Sequence, residues 1–189
     1  MDQLFKKALC FTDMHVGLKQ NSKTHNEDCF NFASWACEKG RSLDCDTLIF
    51  LGDFSHHRNS VNITTLNYSI DIIEMLSKSF KQVIWIIGNH DLFFRDKRDY
   101  HSIPYGRLFP NVKIINDITL NGQVALLPFL VGDEWKHIPG CKYIFGHLEL
   151  PHFILSGKIK MPDYGGLNAT DLKSPDYVFS GHFHKRQKQ

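Results

Sequence analysis

Gln82-Val83-Ile84-Trp85-Ile86-Ile87-Gly88-Asn89-His90-Asp91 decides how the rest of the chain is read. Its first six residues, rich in β-branched and aromatic side chains, read as a buried strand. That strand runs straight into a glycine, an amide, an imidazole and a carboxylate. The same transition recurs along the sequence. Phe11-Thr12-Asp13-Met14-His15 and Phe50-Leu51-Gly52-Asp53 come before it, and Phe145-Gly146-His147 and Phe179-Ser180-Gly181-His182-Phe183-His184 come after. In open α/β sheets the carboxyl ends of parallel strands face one crevice, so side chains distant in sequence can meet there.

Working outward, the runs 8–12, 47–51, 82–87, 112–115, 123–127, 142–145 and 177–180 are predicted strands. A helix is predicted between the first two, opened by a capping box at Thr24-His25-Asn26-Glu27 and closed by Gly40. Phe32, Ala33, Ala36 and Cys37 should face the sheet, with Glu38 and Lys39 in water. A second helix over Ile63 to Ser79 should bury Leu66, Ile70, Ile73 and Leu76 and expose Asp71, Glu74 and Lys78. Strand, helix, strand, helix, strand requires right-handed parallel crossovers and a sheet covered on both faces. The later strands, with little helix between them, point to a second sheet packed on the first.

A chain of 189 residues that is 42% apolar can bury one core, so a single domain is expected. The net charge of +2 is too small to mark a polyanion partner by itself. Five cysteines with no C-x-x-C spacing exclude a disulfide framework and a thiolate zinc site, and fit a reducing cytoplasm. No signal-peptide pattern or membrane-spanning run is present, so no membrane partner is expected. Eleven histidines, by contrast, are about twice the average usage.

The candidate ligands are Asp13, His15, Asp53, Asn89, His147, His182 and His184. Oxygen and imidazole donors without thiolate suit manganese, iron or a catalytic zinc. Seven groups exceed what one tetrahedral ion takes, whereas two divalent ions sharing a carboxylate would use them all, and Asp53 is the natural bridge. The pairs Asp13 with His15 and His182 with His184 would each point to one side if the backbone stays extended. Such a pair of ions points to phosphate-ester hydrolysis. His90 is then free to protonate a leaving oxygen, with Asp91 fixing its tautomer and orientation, and His56 could reach the same phosphate. Gly52, Gly88, Gly146 and Gly181 precede ligands where positive φ or close approach is expected. For His25, His57, His101, His137 and His152 a surface or supporting place is expected.

Taken in order, D-x-H, GD, GNHD, GH and GHxH resemble the signature of the calcineurin-like metallophosphoesterase superfamily, over residues 8 to 184. Three segments are similar to DNA-repair nuclease subunits of the SbcD type, in particular the T-even bacteriophage recombination nuclease branch. They are Asp13-Met14-His15-Val16-Gly17, Gly52-Asp53-Phe54-Ser55-His56-His57-Arg58, and Gly146-His147-Leu148-Glu149-Leu150 together with the closing GHxH block.

That resemblance implies an α/β fold, a four-layer α-β-β-α sandwich of two mixed sheets, with residues 1–189 forming one nuclease domain. It implies one metal on Asp13, His15, Asp53 and His184 and another on Asp53, Asn89, His147 and His182. His90 would be the catalytic acid and His56 would lie beside the phosphate. It further implies two manganese ions (with iron, zinc or magnesium as substitutes), exonuclease and endonuclease action on DNA, a homodimer, and an SbcC-type ATPase partner. The family continues past GHxH, whereas only Lys185-Arg186-Gln187-Lys188-Gln189 follow here. A sandwich shortened at its C-terminal end, without capping and ATPase-docking regions, is therefore expected.

Two other functions compete: a phosphoesterase for a small diester, nucleotide or phosphoprotein, and an idle scaffold. The intact Asn89-His90-Asp91 counts against the scaffold. Arg58, Arg95, Lys97, Arg98 and Arg107 could meet a phosphate backbone, but Asp96 and Asp99 interrupt them, and a mixed solvated loop is the competing expectation. Phe93, Phe94, Tyr100 and Tyr105 could stack on bases or form a dimer face, with ordinary loop packing as the default.

Overall fold

The computed structural model describes residues 4–156, 158–172 and 174–188. Strands β1 (Ala8–Phe11), β2 (Thr47–Phe50), β3 (Gln82–Ile86) and β4 (Val112–Ile115) form one sheet in that order. All three of its pairings are parallel. The first sheet is thus parallel throughout, not mixed, because every connection in it is a crossover and none is a hairpin. The short strands β5 (Thr119–Asn121), β6 (Val124–Leu127), β7 (Tyr143–His147) and β10 (Tyr177–Gly181) build the second sheet, ordered β10-β7-β6-β5. This sheet is mixed: β5 and β6 make an antiparallel hairpin, and the other pairs are parallel. A small β8 (Ile154–Ser156) and β9 (Ile159–Lys160) hairpin stands apart.

Period-two alternation sorts the core into layers. Ile49, Leu51, Ile84, Ile86 and Ile115 meet Val124, Leu126 and Phe145 between the sheets. Leu48, Phe50, Val83 and Trp85 point the other way, onto the helices. Both faces are apolar, as a doubly covered parallel sheet requires. Trp85 is fully buried, its ring centroid 4.5 Å from that of Phe50 and 4.9 Å from that of Phe54. The outer face of the second sheet, with Ala125, Leu127 and Ile144, is covered by loop residues such as Leu150 and Leu167 and by short 3-10 turns. Among the described residues no α-helix covers it, so the fourth layer is built of turns.

The first long helix, Lys23–Ser42, starts earlier than expected: Ser22 is the cap, its Oγ accepting from His25 N at 3.4 Å. Gly40 does not close it. A Cβ at that buried position would stand 2.6 Å from the Phe80 ring, so glycine is required for helix packing and the chain continues to Ser42. Ala33, Ala36 and Cys37 face inward, but Phe32 is 39% exposed, resting edge-on against Phe11 at the uncovered margin of β1. The second helix spans Ile63–Ser79, and its buried face is turned toward Thr65 and Ser69, leaving Leu66 and Ile70 half-buried. Those polar residues are buried because their groups are satisfied: Asn26 Nδ2 donates to Thr65 Oγ1 (3.0 Å), and Ser69 Oγ donates to Thr65 O (2.8 Å).

β1 and β10 are edge strands on the same side of the molecule, and Tyr177 and Phe179 of β10 are 58% and 44% exposed. No helix of the described residues is long and apolar enough to cross a membrane.

Candidate metal centre

Beyond the strand ends the loops after β1 and β2 run on together. Asp13 N donates to Gly52 O (3.0 Å), His15 N to Asp53 O (3.1 Å) and Val16 N to Phe54 O (2.7 Å). The backbone is not extended here: φ is 55° at Asp13, 47° at His15, 56° at Asp53 and 89° at His182. Side chains two residues apart converge through these left-handed turns, not through strand alternation, and Asp and His tolerate such backbone better than most residues. Two glycines make the closure sterically feasible. A Cβ on Gly88 would overlap the Asp53 backbone nitrogen, and one on Gly181 would sit 2.6 Å from Leu51 O and 2.8 Å from His147 Nδ1.

All seven expected ligand residues come together. Asp13, His15 and His184 form one cluster and Asp53, His147 and His182 another, the donor atoms of each lying within 4.8 Å of one another. Asp53 Oδ2 stands between them, 3.7 Å from His15 Nε2 and 3.4 Å from His147 Nε2. Asn89 Oδ1 is 3.0 Å from both His147 Nε2 and His182 Nδ1. His15 Nε2 and His184 Nε2 face each other at 3.0 Å.

The donor chemistry fits divalent cations. His147 Nδ1 lies 2.7 Å from Leu51 O, which makes it the N–H donor. In the neutral ring Nε2 is then bare, yet it faces two oxygen acceptors, on Asn89 and Asp53. Lone pairs aimed at lone pairs are stable only around a positive charge, a proton or a metal ion. Without a metal the proton takes that place. Burial disfavours it, but Asp53 outweighs burial and raises His147 to about 9. The same pair holds the Asp53 carboxyl below its ordinary range, against burial. His15 and His182, lowered by burial to about 3 and about 4, are neutral and keep lone pairs for a ligand.

Asp91 differs from expectation. It does not orient the His90 ring. Its Oδ2 accepts from Asp53 N (3.0 Å) and Gly88 N (2.9 Å), and its Oδ1 accepts from Ser55 N (2.9 Å). The carboxylate is fully buried and ties the β2 and β3 loops through their backbones. Burial, with the charge of Asp53, pushes it up to about 7. His90 is fixed instead by Nδ1 to His56 O at 2.9 Å, and its ring stacks on that of His56 at 5.4 Å and 19°. His15, His56 and His90 cluster together on the Asp13 side of the centre.

Residues 6–186 match the family model described as calcineurin-like phosphoesterase. The chain belongs to that family. This metallophosphoesterase is 26% identical over 189 residues to exonuclease subunit 1 of Enterobacteria phage T4, an alignment covering 94% of this chain and 55% of the relative. The chain therefore spans about half the length of that relative. A crystal structure of Pseudomonas putida nuclease MPE aligns with TM-score 0.49 and 24% identity, over 82% of this chain and 67% of that one.

The metallophosphoesterase centre also uses residues for which sequence reasoning assigned no role. Glu149 Oε2 lies 3.6 Å from His182 Nε2, on the far side of the ring from Asn89. Its signal was a carboxylate two positions after His147. Asn26, fully buried in the first helix, accepts from Gly17 N at 2.9 Å and pins the loop that carries His15. Of the histidines expected in supporting places, His25 Nε2 lies 3.1 Å from His15 O, and His101 Nδ1 accepts from Ile103 N at 3.2 Å. His137 and His152 are exposed. Arg98 neither meets solvent nor offers itself to a phosphate backbone. It is buried, donating through Nη1 and Nη2 to Glu134 and through Nε to Asn116 O. A groove of about 1030 Å³ runs from Asp13 and His184 along Phe11, Val178 and Phe183.

Proposed function

We propose that the chain is a metal-dependent nuclease that hydrolyses phosphodiester bonds in DNA, acting in recombination or repair. The observation that carries the reading is Asp53 Oδ2 standing between His15 and His147, at 3.7 and 3.4 Å, where one carboxylate oxygen can serve two cations. Asp13, His15, Asp53 and His184 would hold one divalent ion, and Asp53, Asn89, His147 and His182 the other. Mixed carboxylate and imidazole donors suit manganese, with iron, zinc or magnesium as substitutes. Such a pair of ions supplies charge that polarises a phosphoryl oxygen and makes hydroxide available near neutral pH.

The chain's own residues contribute the remainder. His90 Nδ1–H is committed to His56 O, so Nε2 is the free ring nitrogen, and it would deliver a proton to the leaving oxygen from the doubly protonated, imidazolium form of the ring. His56, stacked beside it, lines the same approach. Asp91 keeps Asp53 and Gly88 in register through their backbone N–H groups. The relative from phage T4, named as an exonuclease subunit, supports a DNA substrate and a partner subunit. We assign that partner to the SbcC-type ATPases, the assembly to a homodimer, and the location to the cytoplasm, the host's if the chain is phage-encoded.

The test is cleavage of end-labelled DNA in manganese by the natural chain, His90→Ala and Asp53→Asn. His90→Ala should keep its metal and cut about a hundredfold or more slowly, the usual contribution of a positioned proton donor. Asp53→Asn should lose metal and cutting together. Parental cutting by both variants would end this reading. Turnover of a chromogenic diester with DNA left intact would move the activity to small phosphodiesters.

A further inference from the structure

Glu149 lies two residues past His147, the last residue of β7, between Leu148 and Leu150, which are both buried. Leu148 N donates to Ser180 Oγ at 2.9 Å, tying this turn to β10 two residues before His182. The Glu149 carboxylate stands 3.6 Å from His182 Nε2, and among the described residues that ring is the only charged or hydrogen-bonding partner of the side chain. Glu149 itself is outside the groups of donors that lie within 4.8 Å of one another. It therefore faces a candidate ligand from behind.

His182 is held from several directions. Its backbone N–H donates to Asp13 at 3.2 Å, and its ring packs against Phe183 (centroids 5.0 Å apart, 81°) and Phe129 (6.2 Å, 36°). Ring Nδ1 is 3.0 Å from Asn89 Oδ1, which is equally close to His147 Nε2. A neutral imidazole has one proton for two nitrogens, and here an oxygen acceptor faces each. For Nδ1 to give its lone pair to a divalent ion at that convergence, the proton has to sit on Nε2, where Glu149 accepts it. The 3.6 Å separation exceeds a hydrogen bond by roughly half an ångström, a movement open to a side chain that is 38% exposed.

The two imidazoles of this cluster are thus anchored through opposite nitrogens. His147 Nδ1 is on the Leu51 carbonyl at 2.7 Å, and His182 Nε2 is on a carboxylate. Among the described residues the other cluster has no counterpart. His15 Nδ1 is buried without a partner, and the recorded polar neighbours of His184 Nε2, His15 and Asp13, belong to the centre itself. A carboxylate behind a ligating imidazole fixes the ring and raises its donor strength.

We propose that Glu149 is a positioning residue that holds His182 as an Nδ1 ligand and thereby makes the site of Asn89, His147 and His182 the tighter of the two. This role rests on the reading of a two-ion centre, not on the identity of the substrate, and is tested without turnover.

The metal-free natural chain, Glu149→Gln and Glu149→Met are titrated with zinc by calorimetry, and the histidine ring nitrogens are followed by 15N nuclear magnetic resonance. Methionine matches glutamate in length without an oxygen, and glutamine keeps one acceptor. In the zinc-loaded natural chain His182 should carry the metal on Nδ1 and a slowly exchanging proton on Nε2, and its site should fill first. Glu149→Met should lose that slow proton and weaken this site about tenfold or more, with the site of Asp13, His15 and His184 at parental affinity. Glu149→Gln should recover most of the loss. The metal-free chains should unfold at the same temperature, since a partly exposed pair contributes little; a merely structural carboxylate would lower that temperature and weaken both sites alike. Zinc on His182 Nε2, parental affinity in Glu149→Met, or equal weakening of both sites would overturn the role of Glu149 while leaving the two-ion centre intact. A natural chain that takes up no zinc would overturn both. Zinc binding as described with no cleavage of DNA in manganese would leave the role of Glu149 standing and reject the nuclease reading.

Discussion

Asp91 Oδ2 accepts the backbone N–H of Asp53 at 3.0 Å from a position that solvent does not reach. The residue next to His90 therefore acts on Asp53, through main chain, and not on the imidazole beside it in sequence. Asp91→Asn should accordingly fail as a fold before it fails as a catalyst. An amide has one acceptor oxygen where three N–H groups now converge, and its NH2 would point at a donor. We expect a loss of about 2–4 kcal/mol in denaturant unfolding of the metal-free chain. Parental stability with slow catalysis alone would mean that Asp91 works through His90 after all.

Arg98 and Glu134 give a stability term with a definite pH sign. Burial pushes the Glu134 carboxyl up, but hydrogen bonds from Arg98 and from Val131 N outweigh it and hold the group below its ordinary value. A depressed acid contributes stability that is fully present above the unfolded carboxylate pKa, about 4.3, and is lost as pH falls through the folded value. Glu134→Gln should cost about 2–3 kcal/mol at pH 7, because it leaves a buried guanidinium with two carbonyl partners and only the exposed Asp117 carboxylate, 3.7 Å away, for its charge. Thermal unfolding of both chains from pH 7 to pH 3 checks this: the gap should close on acidification, and a gap independent of pH would contradict the assignment.

Gly88 tests how closely the two central loops must approach. Gly88→Ala places a methyl group on the Asp53 backbone nitrogen and close to its carboxylate, so Asp53 has to move. Overpacking of this kind typically costs about 1–3 kcal/mol. The larger effect should be on metal binding, with retained metal after dialysis falling well below that of the parent while the far-ultraviolet circular dichroism is kept. Full metal retention would show that the approach is not needed.

Much of this was legible in the sequence, for reasons that differ from element to element. The second helix was readable from the helical spacing of Leu66, Ile70, Ile73 and Leu76, and its ends fall where Asn62 caps it and Phe80 leaves it in extended backbone. β1, β2, β3, β4, β6, β7 and β10 were readable as dense β-branched and aromatic runs. β5, β8 and β9, of two or three residues each, carry too little pattern to be seen. Gly40 was misread because a helix terminator and a helix-packing glycine look alike until Phe80 is in place. The candidate ligand residues and their convergence were visible as recurrent strand endings. The route to convergence was not, since positive φ at Asp13, His15, Asp53 and His182 follows from contacts between loops and leaves no periodic mark. Asp91 was misassigned for the same reason: adjacency to His90 is a sequence property, whereas its three N–H partners belong to the folded chain.

The proposed bridging role of Asp53 is tested most directly by counting metal. Manganese bound per chain, measured by calorimetric titration of the metal-free protein and checked by elemental analysis after gel filtration, should reach two for the natural chain. It should fall below one for Asp53→Asn, because a shared ligand serves both ions. A natural chain that saturates at one ion, or an Asp53→Asn chain that still holds two, would contradict it.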